Sequence, residues 1–374
     1  MEIDQEIWLD RIAEKLQFDW LAEKYVPFTI SPAMLFVATM IFVDTILFEL
    51  YSYLIQGKIS FIDNPFVLLG EGGGGLLIAI YAVHRLNREY ENALTRLQID
   101  KREDIKPDQF RTLAFRLNKY ETDAGETRWK YRIDTDQMRW AGFALGASLQ
   151  IIQISVFVGP ARLYEVGGIV GLLGNYFFIP FVYVPVAVEF AVTYFSVQVL
   201  LPLNLKNSEL SLDFLDPEKM GGLRPIGELL KHSYYYFIML YISFALFMYG
   251  PELFPELFYS PFNPGPVVNI LFTVGWIISA GMLAFGIYII HLFMSREKRE
   301  ELRRLDDKVK EKVEQPFDAQ NFRVPHNDED YEQIRTRMEY VTSTREYPAT
   351  FTFWSQLLIS ILIPKAVQMV LNLA

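Results

Sequence analysis

The 374 residues are 51% hydrophobic and 21% charged, with a formal net charge of −10 and no cysteine. The cysteine count excludes disulfides, thiol nucleophiles and cysteine-held metals, and the acidic balance argues against a nucleic-acid partner. Apolar residues fall in blocks of roughly twenty with the charge gathered between them, the pattern of membrane spans rather than of a soluble core.

Residues 1–32 open the chain as a cytoplasmic amphipathic helix. Ile3, Ile7, Ile12 and Leu16 recur at spacings of four and five, with Trp8, Leu9 and Trp20 beside them. Such a helix either packs on the protein's own cytoplasmic parts or lies in the membrane interface with its tryptophans at headgroup level. Residues 33–84 supply the first two spans. Span one, 33–55, starts behind Pro32 and carries Asp44 at its centre and Glu49 five residues later. Span two, 66–84, opens on Glu71 and Gly72–Gly75, which suits close helix contact or locally unwound backbone. Leu86, Tyr90, Leu94 and Leu97 carry one apolar face onward into a cytoplasmic helical insert, 85–139.

Residues 140–294 hold spans three to six. Span three, 140–160, contains Gly142-x-x-x-Gly146, which serves intrachain packing as easily as a homo-oligomer. The glycine-rich segment 161–176 reads as an extracellular loop, with a re-entrant segment as the alternative. Span four, Phe177–Leu201, has Glu189 near its middle and Pro180 and Pro185 in its first half. Asp216-Pro217-Glu218 has the chemistry of a helix start, broken after one turn by Gly221-Gly222. Spans five and six follow at 234–254 and 267–294. Span six continues as a charged helix with an apolar stripe of Leu302, Leu305, Val309 and Val313. Residues 295–350 form cytoplasmic helix and loop, and 351–374 hold a seventh span or a re-entrant helix. The expected fold is therefore an all-α polytopic transmembrane bundle of seven spans, or six, with cytoplasmic helical extensions.

Segments 1–32, 85–139, 202–233 and 295–350 hold 3, 13, 4 and 12 Lys and Arg residues, and the alternate segments hold only Lys58 and Arg162. That asymmetry places the N-terminus in the cytoplasm of a multi-pass cell-membrane protein.

Enzyme signatures are lacking: His84, His232, His291 and His326 form no metal-binding pair, and no nucleophile elbow or phosphate loop is present. No cofactor or metal is implied, and Asp328, Glu329 and Asp330 read as a solvated charge run. What remains is the set of ionisable groups inside spans. Asp44, Glu71, Glu189 and Lys365 are the candidate ion or solute pathway, with Asp44, Glu189 and Lys365 at similar depth. A charge at the centre of a span costs at least ~2.5–3.5 kcal/mol, so each faces protein, a partner or water. These groups are either structural ion pairs or the lining of a polar route. The expected function is channel- or transporter-like. The alternative is a membrane scaffold or sensor that binds a cytoplasmic protein partner through its apolar stripes, a non-enzymatic role in either case.

Asp216-Pro217-Glu218-x-x-Gly221-Gly222-Leu223 ahead of a span, with Tyr347-Pro348 ahead of a TFTFWSQLLISILIP close, resembles a broad set of uncharacterised prokaryotic multi-span proteins. Those stretches cover about a tenth of the chain, and the resemblance implies a membrane fold and no activity. The layout of seven spans with an inside N-terminus is distantly similar to the insect chemoreceptor channels. Their last helix lines a pore; Thr350-Phe351 and Gln356-Leu357 are loosely like its opening motif.

Overall fold

The computed structural model describes residues 7–25, 30–56, 74–98, 120–121, 127–128, 135–208, 210–253, 266–313 and 329–347. Glu71, Lys365 and the last expected span lie outside the described residues, as does most of the insert 85–139. The described chain is helical, apart from turns and a two-residue antiparallel ladder pairing Tyr120 with Arg128 and Glu121 with Thr127.

Two short helices lead, α1 (Trp8–Lys15) and α2 (Phe18–Tyr25). Ser31 accepts the Met34 N–H, and Pro32 fills the first turn of α3 (Pro32–Ile41). That helix runs through a π-helical stretch (Phe42–Leu47) into α4 (Phe48–Gln56). Helix α5 (Gly74–Arg96) is continuous from span two into its extension. Helix α6 (Thr135–Gln153) ends in a π-helical stretch, Ile154–Val158. The segment expected as a loop is instead helical: α7 spans Pro160–Leu173, with Pro160 in its first turn and a break at Gly168 (φ 59°, ψ −150°). After Gly168 the chain is helical to Lys206, through a π-helical stretch at Gly174–Tyr183, α8 (Val184–Phe195), a second at Ser196–Leu200 and α9 (Leu201–Lys206). The i→i+5 bonding around Pro180 accommodates its missing N–H.

Asp216 does not start a helix. Its carboxylate instead accepts the N–H groups of Glu218, Met220 and Gly222 at 2.9–3.0 Å, closing a turn that Gly221 and Gly222 complete at φ +62° and +78°. One side chain with three acceptor contacts within its own loop outcompetes the helix. Helix α10 (Arg224–Leu253) begins ten residues ahead of the expected span five. Helix α11 (Pro266–Lys312) runs unbroken for 47 residues, as the sequence pattern of span and extension requires. Helix α12 (Glu329–Ser343) lies against its far end, tied by Arg337–Glu301 at 3.0 Å and by Lys298 donating to Thr344 O at 2.7 Å.

Among the described residues three helices are long and apolar enough to cross a membrane: Thr135–Val158, Gly168–Lys206 and Phe272–Lys312. Their outward faces are greasy. Leu145, Leu149, Ile152, Val156 and Phe157 on α6 and its π-helical end are all exposed, Phe157 by 80%. A water-soluble surface does not carry so large a contiguous apolar face without a partner. Polar side chains go inward: Glu189, Gln198 and Ser233 are fully buried.

Two apolar cores hold the helices together. One gathers Trp8, Leu9, Phe36, Ile80, Val83, Val186 and Phe190 around α1, α3, α5 and α8. The other gathers Leu86, Tyr90, Leu94, Leu97, Leu205, Ile226, Leu230 and Phe293 around α5, α9, α10 and α11. The glycine pair of α6 faces α8. A Cβ on Gly142 would stand 3.1 Å from Val188 Cγ1, and one on Gly146 2.8 Å from Val184 Cγ1. This motif is thus used within the chain.

Candidate functional site

The expected pathway residue Glu189 sits on α8 with its side chain 0% exposed. Its partner is Arg139 in the second turn of α6, whose Nη2 stands 2.9 Å from Oε1. The contact is at ion-pair distance but off the hydrogen-bond line, and Oε2 has no hydrogen-bond partner among the described residues. Arg139 turns its other terminal nitrogen to Asp136 Oδ1 at 3.0 Å, and Asp136 Oδ2 accepts from Arg11 of α1 at 2.8 Å. Four alternating charges therefore run inward: Arg11 and Asp136 are 39% and 42% exposed, Arg139 14% and Glu189 0%. These four charges sum to zero, so each charge after the first enters a field of opposite sign.

A second set of groups stands beside it. Asp10 of α1 accepts the Ala33 N–H at 2.9 Å and lies 3.6 Å from His84 Nε2 of α5. That nitrogen is also 2.7 Å from Ser31 Oγ. Burial pushes the Asp10 carboxyl above its ordinary range, against the pull of His84 and the Ala33 N–H. Trp8 closes this end, edge-on to Trp140 at 5.1 Å. Helix α1 packs on the bundle through Trp8, Leu9 and Ala13, whereas Leu16, Trp20 and Tyr25 stay exposed.

Asp44 lies in the π-helical stretch after α3, where Tyr183 donates its hydroxyl to Oδ2 at 2.5 Å. Tyr183 ends the π-helical stretch that leads into α8. It precedes Glu189 by six residues, about 9 Å at helical rise. One continuous helix thus carries Glu189 and the hydroxyl that meets Asp44. Paired π-helical stretches at two polar side chains fit the known placement of such distortions at functional positions.

Glu189 stands beside the beginning of α6. Arg139 to Val158 and Gly168 to Glu189 each measure about 30 Å as helix, one hydrocarbon thickness. Glu189 is level with the beginning of α6 because its helix starts at Gly168 and not at 177. Asp44 and Glu189 therefore meet different partners, and the expected triad with Lys365 lies outside the described residues in its third member. So does Glu71, and so does the Glu49 side chain.

Arg139, Asp136, Arg11 and Asp10 were missed from the sequence, where they are charges flanking spans, and His84 was read there only as one of four histidines that form no metal-binding pair. The signal was available: a buried carboxylate needs a cation, and Arg139 is the basic residue directly before span three. The apolar stripes expected as a docking surface are used internally. Leu86, Tyr90, Leu94 and Leu97 are buried in the core shared with α10, and Leu305 is covered beside α12. His232 contacts Glu89 at 2.7 Å and His291 the Glu346 carbonyl at 3.0 Å, while His326 lies outside the described residues. Among the described residues no cluster of His, Asp and Glu could hold a metal; Asp330 pairs with Lys312 at 3.0 Å. No protein-family model matches the sequence, and neither a curated protein nor a solved structure is significantly similar to it.

Proposed function

We propose that the chain is a multi-pass membrane protein, channel- or transporter-like, in which Glu189 and Asp44 lie on a polar route for a proton or small cation. The observation that carries this reading is the graded charge chain ending on a fully buried carboxylate whose Oε2 meets no hydrogen-bond partner among the described residues. A purely structural ion pair gains most when both oxygens are bonded. An ionisable group buried inside a span marks an ion path or a proton relay. The surface end at Arg11 and Asp136 admits water, Arg139 holds the buried charge in waiting, and Tyr183, six residues before Glu189 on the same helix, offers its hydroxyl to Asp44.

The distribution of Lys and Arg puts the N-terminus, α1 and the charge chain on the cytoplasmic side. The seven-span count adds α3–α4, α5, α10 and the segment 351–373 to the three long apolar helices, and Glu71 and Lys365 join the route by sequence position alone. The first stripe that motivated a scaffold role is buried within the chain and the second is buried at Leu305 and half-buried at Leu302, Val309 and Val313, which favours transport over partner binding.

The test is flux into liposomes carrying purified protein, read by entrapped pH- and cation-sensitive dyes. Wild type passes a proton or monovalent cation, Tyr183→Phe slows it, and Glu189→Gln stops it while remaining monodisperse. Equal flux in all three, or none in wild type under imposed pH and cation gradients, overturns the proposal.

A further inference from the structure

On the side of α8 turned toward α5 and α10 there is a cavity of about 560 Å³, lined by Ala79, Val186, Phe190, Phe244, Phe272 and Gly275 among others. That volume falls within the ~300–1,000 Å³ of ligand pockets. Four helices form it: α5, α8, α10 and α11. Its walls are almost wholly apolar, and the hydroxyls near it are engaged: Tyr241 donates to Phe272 O at 2.9 Å and Ser243 to Met239 O at 3.0 Å. Water finds too few partners there to fill it. An empty apolar space of this size forfeits dispersion contacts around its whole lining.

Small residues create the space. Gly275 faces it, and a Cβ built on that residue meets nothing within 4 Å. The cavity opens outward, because Ala187 and Phe244 in its wall are exposed. The surface around the mouth is itself apolar, with Val274 and Ile278 of α11 and Ile242 of α10 exposed beside it. The phase against such a surface on a membrane helix is hydrocarbon.

We infer that the cavity between α5, α8, α10 and α11 binds an acyl chain of a bilayer phospholipid, inserted between α10 and α11 and resting on Val186 and Phe190 within a turn of Glu189. This rests on reading these helices as membrane spans. A chain there wedges α8 from the side away from α6, which carries Arg139, so lipid occupancy and the charge chain act on the same helix.

The experiment reconstitutes the full chain in phosphatidylcholine bearing a diazirine on one acyl chain and maps the photo-adducts by mass spectrometry. Adducts are expected on α10 and α11 at the cavity wall and on the outward face of α6 at Leu149 and Phe157. Gly275→Leu and, separately, Ala187→Phe lower the cavity adducts several-fold and leave those on α6 unchanged. Val274→Leu, beside the mouth, changes neither. Adducts on α6 with none at the cavity, cavity labelling indifferent to both filling variants, or labelling only by a diazirine fatty acid overturns the inference. Absence of adducts on α6 as well overturns the membrane reading instead.

Discussion

Neutralising either end of the buried pair gives unequal losses, and their order follows from exposure. Arg139→Gln strips Glu189 of its cation and leaves a fully buried carboxylate with no bonded oxygen among the described residues. Breaking a buried pair by removing one partner costs about 3–5 kcal/mol, and this variant belongs at the upper end. Glu189→Gln leaves Arg139 14% exposed and still bonded to Asp136 at 3.0 Å. A pair near 4 Å at an effective dielectric of 20 is worth about 4 kcal/mol, and retention of Asp136 brings the loss down to about 2–3 kcal/mol by the same reasoning. The double variant removes both charges, so it falls well short of the sum, with a coupling of about 2 kcal/mol. The assay is equilibrium unfolding in mixed micelles, with wild type, both single variants and the double variant measured in one detergent series. A Glu189→Gln loss as large as that of Arg139→Gln, or simple additivity, would refute the assignment of Arg139 as the partner of Glu189.

Gly146→Leu drives its side chain into Val184 and separates α6 from α8, so the purified protein loses its monodisperse peak; Gly146→Ala, which needs only Val184 to give, keeps it with a lower melting point. Asp216→Ala removes the acceptor of three N–H groups and costs about 2 kcal/mol, and proteolysis at 210–223 reports it as faster cutting. Glu89, though partly buried, has its carboxyl held below its ordinary 4.5 by His232 and Arg85. Its folded-state value is depressed, so its contribution is complete above about pH 4.5 and fades as pH falls through the native value. Hydrogen exchange at Leu229–Ser233 therefore rises on acidification in wild type and loses that step in Glu89→Gln.

Helix positions were legible wherever the apolar block and its flanking charge were unambiguous. The 47-residue α11 and the span-to-extension run of α5 follow from stripes that never break period. The segment 161–176 was not legible, because four glycines signal a loop in water, whereas here the helix is broken only at Gly168 and the other three sit within helix. Asp216 misled for the opposite reason: its side chain bonds its own loop, and a local cap and a local turn use the same residues. At the site, Glu189 stood out as a charge inside a span. Its partner Arg139 did not, because a basic residue before a span is what the positive-inside pattern supplies for free. Only the crossing of α6 and α8, set by Gly142 and Gly146, brings the two within 2.9 Å.

The crossing of a bilayer by α6 is tested most directly by single cysteines, since the chain contains none of its own. Cysteine placed at Arg162 or Arg304, both exposed, and at Phe157 is challenged with an impermeant maleimide from either side of sealed vesicles. Position 304 should react only from the side that holds the N-terminus, position 162 only from the other, and position 157 from neither. Reaction of 162 and 304 from the same side, or of 157 as fast as 304, would contradict a membrane-spanning α6 and with it the route through Glu189.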